Sequence, residues 1–158
     1  ETEFRAPWVI AAATIGFGLL LGLVDWRAPR TRQLNSLGIR DALLIGFAQI
    51  LALIPGTSRS GITMTAGLAL GLDRASASRF SFLLAVPTIL ASSALVTLDL
   101  LRDSGPVDWA ALGLGVVLSG VAAYTAIHLF LRFIERVGMW PFVVYRLLIG
   151  ALILVLIY

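Results

Sequence analysis

The chain contains no cysteine and no lysine, a single histidine, and only nine acidic residues among 158. Without cysteine, thiol redox chemistry, disulfides and thiolate metal sites are excluded. The lone histidine, His128, makes neither a metal cluster nor a catalytic triad. Its place inside the apolar run Ile127-His128-Leu129 points instead to an interhelical hydrogen bond. Charged residues are 13% of the chain against 59% hydrophobic, and mean hydropathy is +0.95, values that exclude an ordinary water-soluble domain and indicate an integral membrane protein. The start, Glu1-Thr2-Glu3-Phe4-Arg5, is acidic where a secretory signal is basic, so no cleavable signal is expected, and Glu1 and Glu3 are read as solvated.

All twelve basic residues are arginine, and most sit in short links between apolar runs. That distribution speaks of membrane orientation and argues against nucleic-acid binding. The first run, Trp8 to Val24, has 17 residues without a charge and reads as a span at 8–24, with Gly18 and Gly22 spaced to let a neighbouring helix approach closely. A loop follows from Asp25 to Asp41, carrying Arg27, Arg30, Arg32 and Arg40 with Pro29, Asn35 and Gly38. Further spans are expected at 80–101, 109–131 and 139–158. The first of these belongs to a helix capped by Asp73 and kinked at Pro87, turns fall at Asp99–Asp108 and Arg132–Gly138, and Trp109, Trp140 and Tyr158 lie where interfacial belts belong.

Between the first loop and Asp73 lie two apolar runs, Ala42 to Ile54 and Ile62 to Leu72, of 13 and 11 residues. A helix rises about 1.5 Å per residue and needs about 20 residues to cross, so each is too short. The lengths fit a re-entrant helical hairpin over 42–72 whose polar tip is Pro55-Gly56-Thr57-Ser58-Arg59-Ser60-Gly61. The competing reading, one continuous span from Ala42 to Leu72, would put Pro55 in mid-helix and Arg59 near the bilayer centre. Arginine counting separates the two. With the hairpin entering from the side of the 25–41 loop, Arg27, Arg30, Arg32, Arg40, Arg74, Arg79, Arg132 and Arg136 fall inside, and only Arg5 and Arg102 outside. The fold expected is an all-α polytopic membrane bundle in one domain with one re-entrant hairpin.

The hairpin tip carries the chemistry. Gly56 and Gly61 permit close backbone approach, Thr57, Ser58 and Ser60 offer hydroxyls, and Arg59 offers a guanidinium. Gly56-x-x-x-x-Gly61-Ile62-Thr63 has P-loop glycine spacing, but Ile62 stands where the phosphate-gripping lysine belongs and no strand precedes it. A tight turn whose Ser58 or Ser60 caps the next helix accounts for the hydroxyls without accounting for Arg59. A charged side chain at membrane depth costs several kcal/mol and marks function. Free N–H groups at a helix start, the dipole and Arg59 together describe an anion site. Arg146, inside the last span, is read either as part of such a site, as a structural partner to a carboxylate or helix-end carbonyls, or as a side chain that snorkels to the interface. Gln49 faces either the same cavity or a neighbouring helix.

Leu53-Ile54-Pro55-Gly56-Thr57-Ser58-Arg59-Ser60-Gly61, followed by Phe80-Ser81-Phe82-Leu83-Leu84-Ala85-Val86-Pro87, closely resembles the undecaprenyl-diphosphate phosphatases of the bacitracin-resistance type. Pro141-Phe142-x-x-Tyr145-Arg146 is similar to that family's last span, so the likeness covers most of the chain. The resemblance implies a bacterial inner-membrane hydrolase that releases the terminal phosphate of a C55 polyprenyl diphosphate, with its site facing the outer side. It also implies two inverted repeats with re-entrant hairpins, and a divalent cation, Mg or Ca. On it, Arg59, Ser58 and Ser60 are the expected catalytic residues, and Gly56, Thr57 and Gly61 the substrate-binding ones. The family's acidic E-x-x-x-E motif and its serine- and histidine-bearing segment are absent from the chain, which therefore resembles the C-terminal half, one of the two repeats. The metal ligands, and the groups that would perform hydrolysis, would come from a preceding half or from a partner chain that supplies it; a homodimer is a separate expectation. A transporter or flippase for an anionic lipid, and a non-catalytic binding subunit, are the other readings of the same residues.

Overall fold

Proline at its first position and an uncharged run without breakers start the first helix, α1, at Pro7, and it continues to Arg27. The computed structural model describes residues 6–102 and 108–157. The expectations for Glu1, Glu3, Arg5, Gly105, Pro106 and Tyr158 lie outside those residues. Five more helices follow: α2 (Ile39–Ala48), α3 (Arg59–Ala69), α4 (Arg74–Arg102), α5 (Trp109–Val137) and α6 (Trp140–Ile157). The fold is an all-α membrane bundle. Four helices, α1, α4, α5 and α6, are long and apolar enough to cross a membrane.

Helix ends differ from the expected ones at α1 and α5, each for a physical reason, whereas α4 starts where Asp73 was expected to cap it. Helix α1 passes Val24 because Asp25, 3% exposed, is neutralised by Arg74, whose Nε and Nη2 donate to the two carboxylate oxygens at 2.7 and 2.8 Å. Helix α5 absorbs Arg132, Glu135 and Arg136, which stay exposed on its last turns, and stops only at Gly138, whose φ of +79° favours glycine. Helix α4 starts at Arg74, where the Asp73 carboxylate accepts from the Ser76 N–H at 2.7 Å, and runs unbroken through Pro87.

The polar tip expected at 55–61 does interrupt the backbone, but the break begins at Gln49, inside the apolar run expected to be helical to Ile54, and ends before Arg59. After α2 the chain tightens into a 3₁₀ turn, Gln49–Leu53, bends through Pro55 and Gly56, and restarts as α3. A continuous helix from Ala42 to Leu72 does not form. Helix α3 ends in a Schellman motif. The Leu72 N–H donates to Gly67, the Gly71 N–H donates to Leu68, and Gly71 takes φ +88°. Arg32 clamps this turn by donating through Nη1 to the Leu70 carbonyl at 3.0 Å and through Nη2 to Asp41 at 2.6 Å. The Arg32 guanidinium and the Gly38 N–H hold the Asp41 carboxyl below its usual range.

The core lies where α1, α3 and α6 meet, with Leu21, Met64, Leu68, Met139 and Val143 buried together. Glycines set how closely these helices approach. A Cβ on Gly22 would stand 3.3 Å from Val143, and one on Gly18 would stand 3.2 Å from the Arg146 Cβ, so the Gly18/Gly22 pair receives α6. By contrast α5 leaves nearly its whole length exposed; Ile134 is its one buried residue among those described. His128 lies on that exposed surface and stacks on Tyr124, one turn earlier on the same helix, at 6.2 Å between centroids and 12° between planes. The expected interhelical bond from His128 is absent among the described residues, because no other helix covers that face.

Candidate anion site at the tip of the hairpin

Residues 54–58 make a turn that ordinary side chains resist. Gly56 takes φ +92°, and Ser58 takes φ +66°, a left-handed value uncommon outside glycine. Ser58 then serves as N-cap of α3, its Oγ accepting from the Gly61 N–H at 3.3 Å, so capping falls to Ser58 and the helix starts at Arg59, two residues before Gly61. The turn is held against α1 and α6. Thr14 Oγ1 donates to the Gly56 carbonyl at 3.2 Å, and Arg146 donates to the same oxygen through Nη2.

Arg146 reaches this point because two glycines clear its path. Gly18 lies beside its Cβ and Cδ, and a Cβ on Gly61 would stand 2.8 Å from Nη1. Its Nε is buried and has no hydrogen-bond partner among the described residues. The ion pairs among those residues are Arg32–Asp41 and Arg74–Asp25, so no carboxylate neutralises Arg146. The guanidinium holds a carbonyl and retains donors for something else. Of the structural roles open to it from sequence, pairing with a carboxylate is absent among the described residues, and the carbonyl it bonds is that of Gly56 in the turn and not one at a helix end.

Arg146 opens onto a cavity of about 470 Å³. Its lining includes Thr14, Ser58, Ser60, Gly61 and Arg146 around the hairpin tip, and Tyr145 beside Arg146 in sequence. The remaining wall is apolar, part aliphatic and part aromatic, and includes Phe82, Phe130 and Phe142, with the Phe130 ring centroid 5.5 Å from that of Phe82 and 5.0 Å from that of Phe142. A compact set of cationic and hydroxyl donors beside an apolar wall suits an amphiphile with an anionic head.

Of the six residues expected from sequence, Ser58, Ser60 and Gly61 line this cavity, and Gly56 shapes the turn behind it. Arg59 and Thr57 do not line it. Arg59 is partly buried at the first position of α3, and its guanidinium has no partner among the described residues. Thr57 is wholly buried and its hydroxyl is unpartnered there, because the turn directs the chain's close approach to α1 through Gly56 instead. Gln49 does not line the cavity either. Arg146 was legible as an arginine within an apolar helix, but its partner was not.

The donor set does not suit a cation. The Arg146 guanidinium repels one, and no group of three or more His, Cys, Asp or Glu residues that could hold a metal ion occurs among the described residues. The chemistry these residues supply is anion binding. Gly56 is the most constrained position of the turn, since a Cβ there would press on the Ile10 carbonyl oxygen and stand 2.9 Å from Thr14 Oγ1. Gly56→Ala is expected to destabilise the protein by about 2–3 kcal/mol, from strain at positive φ and displacement of α1. A thermal melt in detergent checks this, and an unchanged midpoint would contradict it.

The family model described as Bacitracin resistance protein BacA matches residues 1–152. The chain belongs to this family. It is 61% identical over 159 residues to undecaprenyl-diphosphatase 2 of Stutzerimonas stutzeri, covering 99% of this chain and 59% of that protein. It is 57% identical to undecaprenyl-diphosphatase of Nitrosococcus oceani, over 97% of this chain and 58% of the relative. A further undecaprenyl-diphosphatase, from Teredinibacter turnerae, is 52% identical over 98% of this chain and 59% of its own length. The chain thus spans a little under three-fifths of the length of these relatives, and the matched part contains the cavity, the hairpin tip and Arg146.

Proposed function

We propose that this chain supplies the diphosphate-binding part of a lipid phosphatase that converts undecaprenyl diphosphate to undecaprenyl phosphate and phosphate, recycling a lipid carrier for cell-wall synthesis. One observation carries the reading: Arg146 converges with Ser58, Ser60 and Gly61 on one part of an otherwise apolar cavity, with no carboxylate to neutralise it among the described residues. A guanidinium at membrane depth is costly without an anion. The head of a lipid diphosphate supplies that charge, and the apolar wall at Phe82, Phe130 and Phe142 receives the chain next to it. The names and identities of the relatives support the substrate class.

In this reading Arg146 and the α3 N-terminus neutralise the diphosphate, Ser58 and Ser60 orient its oxygens, and Gly61 lets the head approach the backbone. Arg59 adds a second cationic group at the start of α3. As the terminal phosphoryl group leaves, negative charge moves onto the bridging oxygen, and fixed donors stabilise that shift more than the bound ground state. Acidic and histidine groups, with the divalent cation they would hold, come from a preceding half or from a partner chain that carries them. Helices α2 and α3, of 10 and 11 residues, form a re-entrant hairpin, and the chain is one domain and one of two inverted repeats. Eight inward arginines against two support placement in a bacterial inner membrane with the site facing outward.

The test is phosphate release from a polyprenyl diphosphate by the complete protein in detergent. Turnover is expected, and transport is impossible there because no second compartment exists. Tight binding of the lipid without phosphate release would overturn the phosphatase reading in favour of a carrier or binding subunit.

A further inference from the structure

Helices α3 and α4 pack along a seam of small residues. A Cβ on Gly67 would stand 3.1 Å from that of Ala77, and one turn toward the hairpin tip Thr63 meets Ser81, their hydroxyl oxygens 2.6 Å apart. Both are buried, at 1% and 4% exposure. Thr63 Oγ1 also lies 3.0 Å from the Arg59 carbonyl and 3.1 Å from that of Ser60, and Ser81 Oγ lies 3.4 Å from the Ser60 carbonyl. Carbonyls only accept. The two hydroxyl protons therefore use the shortest contacts when Thr63 donates to the first-turn carbonyls and Ser81 donates to Thr63. The result is a hydroxyl relay from α4 to Arg59 and Ser60, the two residues that open α3.

We infer that Ser81 is a positioning residue for the anion site, acting through Thr63 to hold the first turn of α3 where Ser60 and the Gly61 N-terminus meet the bound head group. The inference rests on the phosphatase reading for its kinetic consequence only. Ser81 does not line the cavity, whereas its neighbour Phe82 does, so α4 contributes wall and clamp from adjacent residues. The apolar contacts of Leu68 and Ala77 hold α3 and α4 together without the hydroxyls, so loss of one hydroxyl loosens the first turn and leaves the bundle folded. Ser78 provides an internal control. It lies one turn before Ser81 on α4, is fully buried, and its hydroxyl has no partner among the described residues.

The test uses the complete protein, with kinetics on a polyprenyl diphosphate and amide hydrogen exchange of residues 59–63. Ser81→Ala and Thr63→Val are each expected to lower kcat/KM about tenfold, mainly through KM, since a displacement of order 1 Å at a positioning group can cost up to about 100-fold. Exchange in 59–63 rises in both variants. Thr63→Ser, which keeps the hydroxyl, and Ser78→Ala stay within about twofold of the parent, and the Thr63→Val/Ser81→Ala double variant is no worse than Thr63→Val alone. Parent-like kinetics for Ser81→Ala overturns the inference, as does an equal loss in Ser78→Ala, which would be a packing effect. A parent protein that releases no phosphate defeats the phosphatase reading; the exchange arm then decides alone, and unchanged protection of 59–63 in Ser81→Ala overturns the positioning role.

Discussion

Arg146→Met in the complete protein is expected to reduce phosphate release from a polyprenyl diphosphate by at least about 100-fold, the usual cost of removing a fixed donor from a developing anion. The methionine keeps much of the stem that lies beside Gly18 and removes both the charge and the bond to the Gly56 carbonyl. Arg146→Lys should recover little of the loss. A single ammonium cannot bond the Gly56 carbonyl and also present donors beside Gly61, whereas the planar guanidinium does both. A melt in detergent separates catalysis from folding, because Thr14 still donates to the Gly56 carbonyl in the variant and the turn should persist. Near-parental turnover in Arg146→Met would remove the central element of the proposed site.

Arg59→Ala is expected to abolish measurable phosphate release while leaving expression and thermal stability close to the parent's. The stability expectation follows from the structure, since the Arg59 side chain makes no ion pair or hydrogen bond among the described residues and its loss breaks no polar contact there. The activity expectation follows from its place at the first position of α3, next to Ser58 and Ser60, where an unpaired guanidinium has no structural use. Arg59→Lys should also be damaging if the contact to the diphosphate is two-pronged. Turnover within a few-fold of the parent for Arg59→Ala would assign the anion entirely to Arg146 and the α3 N-terminus. The pair of substitutions therefore apportions the head group between two arginines that lie 87 positions apart in the chain (146 − 59).

Much of the fold was legible because membrane insertion is governed by length and polarity, which are properties of contiguous sequence. A polar break near Pro55 to Gly61, a cap for α3 at Ser58 or Ser60, the cap of α4 by Asp73, and four apolar helices were all readable in that way. Helix ends were less so. Asp25 and the Arg132–Arg136 cluster read as loop by charge, yet Asp25 is helical because Arg74, 49 residues later, neutralises it, and the cluster is helical because its charges stay exposed at the end of α5. His128 failed in the opposite direction, since a polar residue in an apolar run implies a partner on another helix only where another helix faces it.

The candidate site divides along the same line. The polar tip and the family likeness were determined by the sequence itself, because they depend on which residue types stand next to one another. Only the tertiary structure decided that Arg146 rather than Arg59 lines the cavity, that Thr57 turns away from it, and that Ser81 braces the helix carrying Ser60. Those outcomes depend on where α1, α3, α4 and α6 cross. The crossings are set by small residues, Gly18, Gly22, Gly61 and Gly67, whose missing side chains determine how closely two helices approach and therefore which distant groups meet.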